Sequence, residues 1–183
     1  MNPKRTKNAI PIDDVAAARD LTAHLIDLGH RAIAFITGPE THISSVERLE
    51  GYRAALDAHG IAFDPALIVA GDYSFPSGRE AARRLLGGAS RPTAIFAGND
   101  DMAAGALAVA HELDIGVPDE LSIAGFDDSD LAAAVWPPLT TVRQPVRELA
   151  WAAADLLLSD NRKLDRLTLD YDLVIRASTG AAH

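Results

Sequence analysis

Apolar residues recur along this chain in short unbroken runs. A polar turn follows each run, and then comes a stretch with apolar positions three and four apart. A short apolar run between turn residues reads as a strand buried on both faces. The wider spacing reads as an amphipathic helix. The clearest case is TAIFAGNDDMAAGAL, residues 93–107. Ala94, Ile95, Phe96, Ala97 and Gly98 meet three polar residues, Asn99, Asp100 and Asp101, and Met102, Ala106, Val109 and Leu113 then fall at helical spacing. This pattern predicts a parallel strand, a tight turn and a helix that starts at the turn. IAFITG at 33–38, residues 67–70 and LSIAGF at 121–126 repeat the strand signal.

Helices are predicted between these strands. Val15, Ala18, Leu21, Leu25 and Leu28 form one face of a first helix, with Asp13 and Asp14 at its start and Gly29 at its end. Ser44 with Glu47, and Ser77 with Glu80, have capping-box spacing and predict two more helix starts. Beyond Asp128 the pattern changes. A short helix over 131–135 is broken by Trp136, Pro137 and Pro138, and LTTVRQ at 139–144 reads as extended. Pro145 suits the first turn of a helix ending near Ser159, and a polar link over 160–166 leads to a last strand within LTLDYDLVIRAST.

Regular alternation of short buried strands and helices predicts an α/β fold, a parallel sheet with helices on both faces. Residues 31–138 form the main lobe. Residues 1–12 are expected to be a disordered or linker tail. The helix at 13–30 is expected to belong to, or bridge to, an incomplete second lobe. Residues 139–168 supply a crossover and helix of that lobe, and 169–183 a final strand and tail. An incomplete lobe would leave Leu149, Leu156 and Leu157 on an open apolar face.

Composition narrows the function classes. Against 26 acidic residues stand 17 basic ones, a formal net charge of −9. A nucleic-acid binder needs a basic face, and the early basic residues Lys4, Arg5 and Lys7 amount to a short tail. With no cysteine, disulfides, thiol catalysis and Cys-ligated metals are excluded. No apolar run has the length of a membrane span, and MNPKRTKNAIPIDD has no apolar signal core, so the expected location is cytoplasmic.

Four successive strands end in polar groups: Thr37, then Asp72 with Tyr73, then Asn99 with Asp100, then Asp127 with Asp128. In an open parallel sheet these ends share one edge, the edge where ligands bind. Arg48, early in the helix after the first strand, would reach the same edge. One guanidinium, several carboxylates, an amide and an aromatic face suit a neutral polyhydroxyl ligand. Each residue also has a plainer reading: Asn99 and Asp100 as helix caps, Asp127 as a turn carboxylate, Arg48 as a solvated helix arginine, Tyr73 as core or rim. Their convergence on one edge is what favours a site. G-x-S-x-G, H-E-x-x-H, Walker and G-x-G-x-x-G patterns are missing, and the six histidines lack ligand spacing. The Asp pairs leave open a Mg²⁺-dependent hydrolase, although no phosphate cradle accompanies them.

HLIDLGHRAIAFITG, SSVERLEGYRAAL, TAIFAGNDDMAAGAL, GVPDELSIAGFDDSDLA, PPLTTVRQP and DLVIRAST follow one another in order. Together, from about residue 13 to about 179, they resemble the effector-binding region of LacI/GalR-type transcriptional repressors, a branch of the periplasmic-binding-protein-like fold. The resemblance implies a two-lobed sensor, not an enzyme, that takes a small polar, sugar-like effector between its lobes without cofactor or metal. It implies that Arg48, Asn99 and Asp127 contact the effector, that Tyr73 is a cleft aromatic, and that Asp13 lies near the cleft. It also implies a homodimer that reaches DNA only through an N-terminal helix-turn-helix, which this sequence does not contain, and makes no contact with a membrane. Rival readings are a solute-binding transport receptor of the same fold, the Mg²⁺ hydrolase, and a dimerisation module with a vestigial site.

Overall fold

The structure, a computed structural model, describes residues 12–88, 91–158 and 169–183. The chain runs α1 (Asp14–Asp27), β1 (Ile33–Thr37), α2 (Ile43–Ala58), β2 (Ile68–Ala70), α3 (Phe75–Leu86), β3 (Ala94–Ala97), α4 (Asp100–Glu112), β4 (Ser122–Ala124), α5 (Asp130–Ala134), β5 (Thr141–Arg143), α6 (Val146–Leu158) and β6 (Asp172–Val174). The four predicted strands form one parallel sheet in the order β2-β1-β3-β4. Phe35 lies opposite Phe96 and Ile68, and Ala94 opposite Ser122.

Period-two alternation divides the core between the two faces of this sheet. Ala34, Ile36, Ile95, Ala97 and Ile123 face α3 and α4, where Leu85, Leu86, Met102 and Leu107 cover them. Ile33, Phe35, Phe96, Ala124 and Phe126 face the other way, onto Ala18, Leu21 and Leu25 of α1 and Tyr52 and Leu56 of α2. Phe35 stacks between Tyr52 and Phe96, with centroids 5.3 and 4.5 Å away.

The helix expected over residues 13–30 packs on the main sheet. α1 is an integral covering layer of the main sheet, packed on α2, because its apolar stripe is the lid of the Phe35–Phe96–Phe126 core. At the start of the expected crossover of residues 139–168, the chain also meets the main sheet. Thr140 bridges to Ala124, and Arg143 to Asp127, both in parallel, so two isolated bridges hold the β5 segment against the end of β4. β5 also pairs antiparallel with β6, Thr141 opposite Val174. Leu149 of α6 is partly buried against the α1 side of the core, whereas Val146 and Trp151 of that helix are 61% and 71% exposed. The side chains of Leu156 and Leu157, the tail of residues 1–11 and the link of residues 159–168 lie outside the described residues.

Helix starts follow local side-chain chemistry. Asp13 caps α1 by accepting from Ala16 N–H at 2.9 Å, and Asn99 caps α4 by accepting from Met102 N–H at 3.0 Å. Two helices start earlier than predicted, by two residues in α2 and three in α3. α3 is capped by Ser74, which accepts from Ser77 N–H, and α2 begins after His42 with no side-chain cap. The hydroxyl of Ser77 instead accepts from Asp72 N–H, so it closes the β2–α3 turn.

The α1–α2 layer depends on a missing side chain. A Cβ on Gly51 would stand 2.2 Å from the carbonyl oxygen of Val15, inside the backbone of the neighbouring helix. Gly51→Ala is therefore expected to lower stability by about 1–3 kcal/mol, through overpacking that outweighs the gain in helix propensity. Urea unfolding reads this as a lower midpoint at unchanged slope. At Gly88 an added Cβ meets nothing closer than 3.6 Å, so Gly88→Ala is expected to change stability by less than about 0.5 kcal/mol.

Candidate functional site

The carboxyl ends of β1, β3 and β4 open on one edge of the sheet, and Arg48 is the residue that joins them. It lies in the second turn of α2 and is only 5% exposed. Its Nε donates to Asp14 Oδ1 at 2.8 Å, and Nη1 donates to the carbonyl of Gly98 at the end of β3. The guanidinium lies over the ring of Phe126, 3.6 Å from its centroid. Nη1 also faces Asp127 Oδ1 across 3.9 Å, too far for a hydrogen bond.

Asp127 is the exposed half of this pair, with 39% of its side chain open to solvent. Oδ1 accepts from Gln144 Nε2 at 2.5 Å, and the backbone N–H donates to Val142 of β5. Partial burial is the main reason its pKa is pushed up to about 6. The opposing pull of Arg48 is weaker, and the charges of Asp100 and Asp14 add to the rise. The carboxylate therefore titrates close to neutral pH and is poised to gain or lose its acceptor charge there.

Asp127 and Asp128 both have positive φ, 117° and 54°. Backbone of that kind in non-glycine residues costs of order 1–3 kcal/mol per residue and survives where the surroundings over-determine it. Here they do. Asp100, 1% exposed, accepts from Ser129 N–H at 2.7 Å, from the Ser129 hydroxyl at 3.0 Å and from Thr141 Oγ1 at 2.6 Å. Burial raises the Asp100 pKa, and these hydrogen bonds counter it. Asp128 takes Arg176 on one oxygen and Arg143 on the other, at 2.5 and 2.6 Å. Burial disfavours its charge, yet the two guanidiniums hold its pKa below the ordinary carboxylate value.

Asn99 uses both ends of its amide on the protein. Oδ1 caps α4, and Nδ2 donates to the carbonyl of Tyr73 at 2.9 Å. Tyr73 itself has φ of 70°. Its ring lies against Gly38, where a Cβ would come within 2.1 Å of the ring, and its hydroxyl meets Ser44 Oγ at 3.3 Å. The aromatic thus roofs the β1–α2 turn, with the His42 ring 5.5 Å away. Asp72 is turned into its own loop, accepting from both N–H and hydroxyl of Ser74, which lowers its pKa to about 2.

The structure brings Arg48, Asn99, Asp127 and Tyr73 to the predicted edge. It does not bring Asp13 into contact with them: that carboxylate is exposed and spent on the α1 cap. The next residue, Asp14, reaches Arg48 instead. A signal for this exists in the sequence. Asp14 shares a helical face with Ala17, Ala18, Leu21 and Leu25, so helical phase turns it inward. Gln144 was likewise missed. It follows β5 directly, two residues beyond buried Val142, so continued alternation turns it to the same side. Among the described residues no three His, Cys, Asp or Glu side chains cluster as a metal site. Of the two Asp pairs, Asp100–Asp101 and Asp127–Asp128, one member of each, Asp100 and Asp128, has both oxygens bonded to protein donors.

A half-exposed carboxylate facing, but not touching, a buried guanidinium leaves room for a group that both donates and accepts. A hydroxyl is such a group.

The profile of the periplasmic binding protein-like domain matches residues 22–179. HTH-type transcriptional regulator CelR of Thermobifida fusca is 38% identical over 180 residues, 96% of this chain and 53% of that protein. HTH-type transcriptional repressor CytR of Escherichia coli K12 is 40% identical over 98% of this chain and 54% of its own length. The ribose operon repressor of the same strain is 43% identical over 75% and 42%. This chain thus spans about half the length of these relatives. Among solved structures, a sugar-binding transcriptional regulator of the LacI family from Escherichia coli, complexed with phosphate, superposes with TM-score 0.86 at 35% identity, covering 97% of this chain and 65% of that one. A transcriptional regulator CelR–cellobiose complex superposes with TM-score 0.84 at 39% identity, covering 91% and 52%. No described helix is long and apolar enough to cross a membrane. The chain belongs to the periplasmic binding protein-like family and, within it, matches the effector-binding region of LacI-type transcriptional regulators.

Proposed function

We propose that this chain is the effector-sensing part of a transcriptional regulator, and that it takes a neutral polyhydroxylated molecule of the sugar class at the strand-end edge. The observation that carries this reading is the Arg48–Asp127 pair: a fixed, buried donor and a half-exposed acceptor 3.9 Å apart. One sugar hydroxyl accepts from the guanidinium and a neighbouring hydroxyl donates to the carboxylate. Tyr73 and Asn99 shape the adjoining rim. The cellobiose in one structural relative and the operon named for ribose in another support the sugar class. With a net charge of −9, these residues sense and do not grip DNA, which falls to another module of a regulator of this kind. Effector binding passes a signal only if it favours one conformational state over another.

Calorimetric titration with a panel of neutral sugars, ribose and cellobiose included, tests the reading. Asp127→Asn is expected to weaken whichever sugar binds by about 10- to 100-fold, the worth of one charged hydrogen bond. The same variant is expected to keep or raise the thermal midpoint, since the native carboxylate is held in surroundings that disfavour its charge. Equal affinity in wild type and variant overturns the site.

A pH dependence follows from the same group. Asp127 titrates near 6 in the folded chain against 3.8 in an ordinary context. Between these values the folded state holds a proton that the unfolded state has released, so this group's contribution to stability falls as pH rises from about 4 to about 6 and then levels off. Sugar affinity is expected to move the other way. It rises through the same window as the carboxylate forms, by up to about tenfold per pH unit below 6. In Asp127→Asn this slope is expected to vanish from both titrations.

A further inference from the structure

Asp127 and Asp128 are, among the described residues, the only neighbouring non-glycine pair with positive φ. A turn of that kind relaxes unless something outside it holds it. Asp128 supplies the hold and is in no position to meet a ligand. Its side chain is 8% exposed, and both its oxygens are occupied. Oδ1 accepts from Arg176 Nη2 and Oδ2 from Arg143 Nε, while its N–H donates to Thr141 Oγ1 at 3.3 Å. Arg176 is the inner clamp: its Nη1 also donates to the carbonyl of Leu139 at 2.8 Å, and its side chain is 19% exposed, against 52% for Arg143. The segment that carries Arg176 is itself anchored, because Ser178 Oγ donates to Ile123 of β4 and accepts from Thr140 N–H.

We propose that Asp128, clamped by Arg176 and Arg143, is a positioning residue that holds the left-handed turn in the conformation that aims the Asp127 carboxylate at Arg48. This rests on the reading of Asp127 as an effector ligand. It makes the C-terminal segment, remote in sequence from the strand-end edge, a working part of the site. The clamp sets where the carboxylate stands, and the strand ends alone do not.

The test exploits two effects of opposite sign. The charged or polar groups facing Asp127 are Arg48 on α2, Asp14 on α1, Asp100 on α4 and Gln144 after β5. Arg176→Met deletes a further cation. If that charge were its whole contribution, the Asp127 midpoint could only rise. If Arg176 holds the turn, the carboxylate escapes into solvent and its midpoint falls from about 6 toward the ordinary value. The measurement is a carbon-13 carboxyl NMR titration of the full 183-residue chain, in wild type, Arg176→Met and Arg176→Lys, with folding verified by circular dichroism. The expected result is a fall of about one pH unit or more in Arg176→Met. A smaller fall is expected in Arg176→Lys, whose ammonium keeps the charge but loses the fork. A rise or no change in folded Arg176→Met overturns the proposal. Should that variant not fold, an unchanged midpoint in Arg176→Lys overturns it.

A second arm uses whichever panel sugar binds the wild type. Arg176→Met is expected to weaken it about tenfold or more, and unchanged affinity overturns the positioning role. If no sugar binds the wild type, the functional reading fails by itself, and the carboxyl titration still decides whether Asp128 positions its neighbour.

Discussion

Arg48 is a cation taken almost wholly out of water, and that is tolerable only because three separate elements answer it. Removing an ion of this size from water costs several kcal/mol, even after relaxation, unless its hydrogen bonds and charge are met inside. Asp14 of α1 supplies the charge, Gly98 at the end of β3 supplies a carbonyl, and Phe126 beyond β4 supplies a ring face. Each partner comes from a different part of the chain, so forming the ion's shell amounts to docking α1, β3 and β4 at their final distances. The apolar stripe of α1 pushes in the same direction, and the two requirements agree on one geometry. The fourth neighbour, Asp127, is left at a distance. That gap is where the structure has chemistry to spare.

The rest of the edge consists of carboxylates assigned to different duties by their surroundings. Asp13 caps a helix, Asp72 closes its own loop, Asp100 fastens the β4–α5 turn and Asp128 is enclosed by two arginines. Asp100 and Asp128 have both oxygens bonded to protein donors, Asp13 and Asp72 one. Asp127 is half open yet faces the buried Arg48, and partial burial moves its titration toward neutrality. The contrast is physical and not compositional: five Asp side chains at one end of a sheet have the same chemistry in isolation and different duties in place. Strain at the Asp127–Asp128 turn is consistent with this, since backbone held in a rare conformation needs the dense hydrogen bonding that Asp100, Thr141 and Asp128 provide.

The sheet was legible because its strands are buried on both faces and therefore read as unbroken apolar runs, IAFIT and AIFA above all. Their shared direction made the polar tips Asn99 and Asp127 neighbours before any coordinates were considered. The packing partners of α1 and of residues 139–144 were harder to read. Sequence order set α1 and residues 139–144 apart from the four regular units, because pairing and packing across long separations leave no local mark. The helix caps show the same limit on a smaller scale. Ser44 and Ser77 satisfy a spacing rule, but Pro76 and the Asp72 turn start α3 a turn earlier, with Ser74 doing the capping.

By itself the sequence determined the alternation of strands and helices, the edge on which polar groups gather, and the residue types offered there, because these depend on local periodicity and on turn chemistry. Only the tertiary structure decided which of two adjacent aspartates, Asp13 or Asp14, meets Arg48, that Gln144 and Arg176 reach the β4 turn, and which carboxylate stays open. Those outcomes depend on helical phase, on strand register and on competition among donors brought together from distant parts of the chain, and a carboxylate's role is settled only once all of its competitors have been placed.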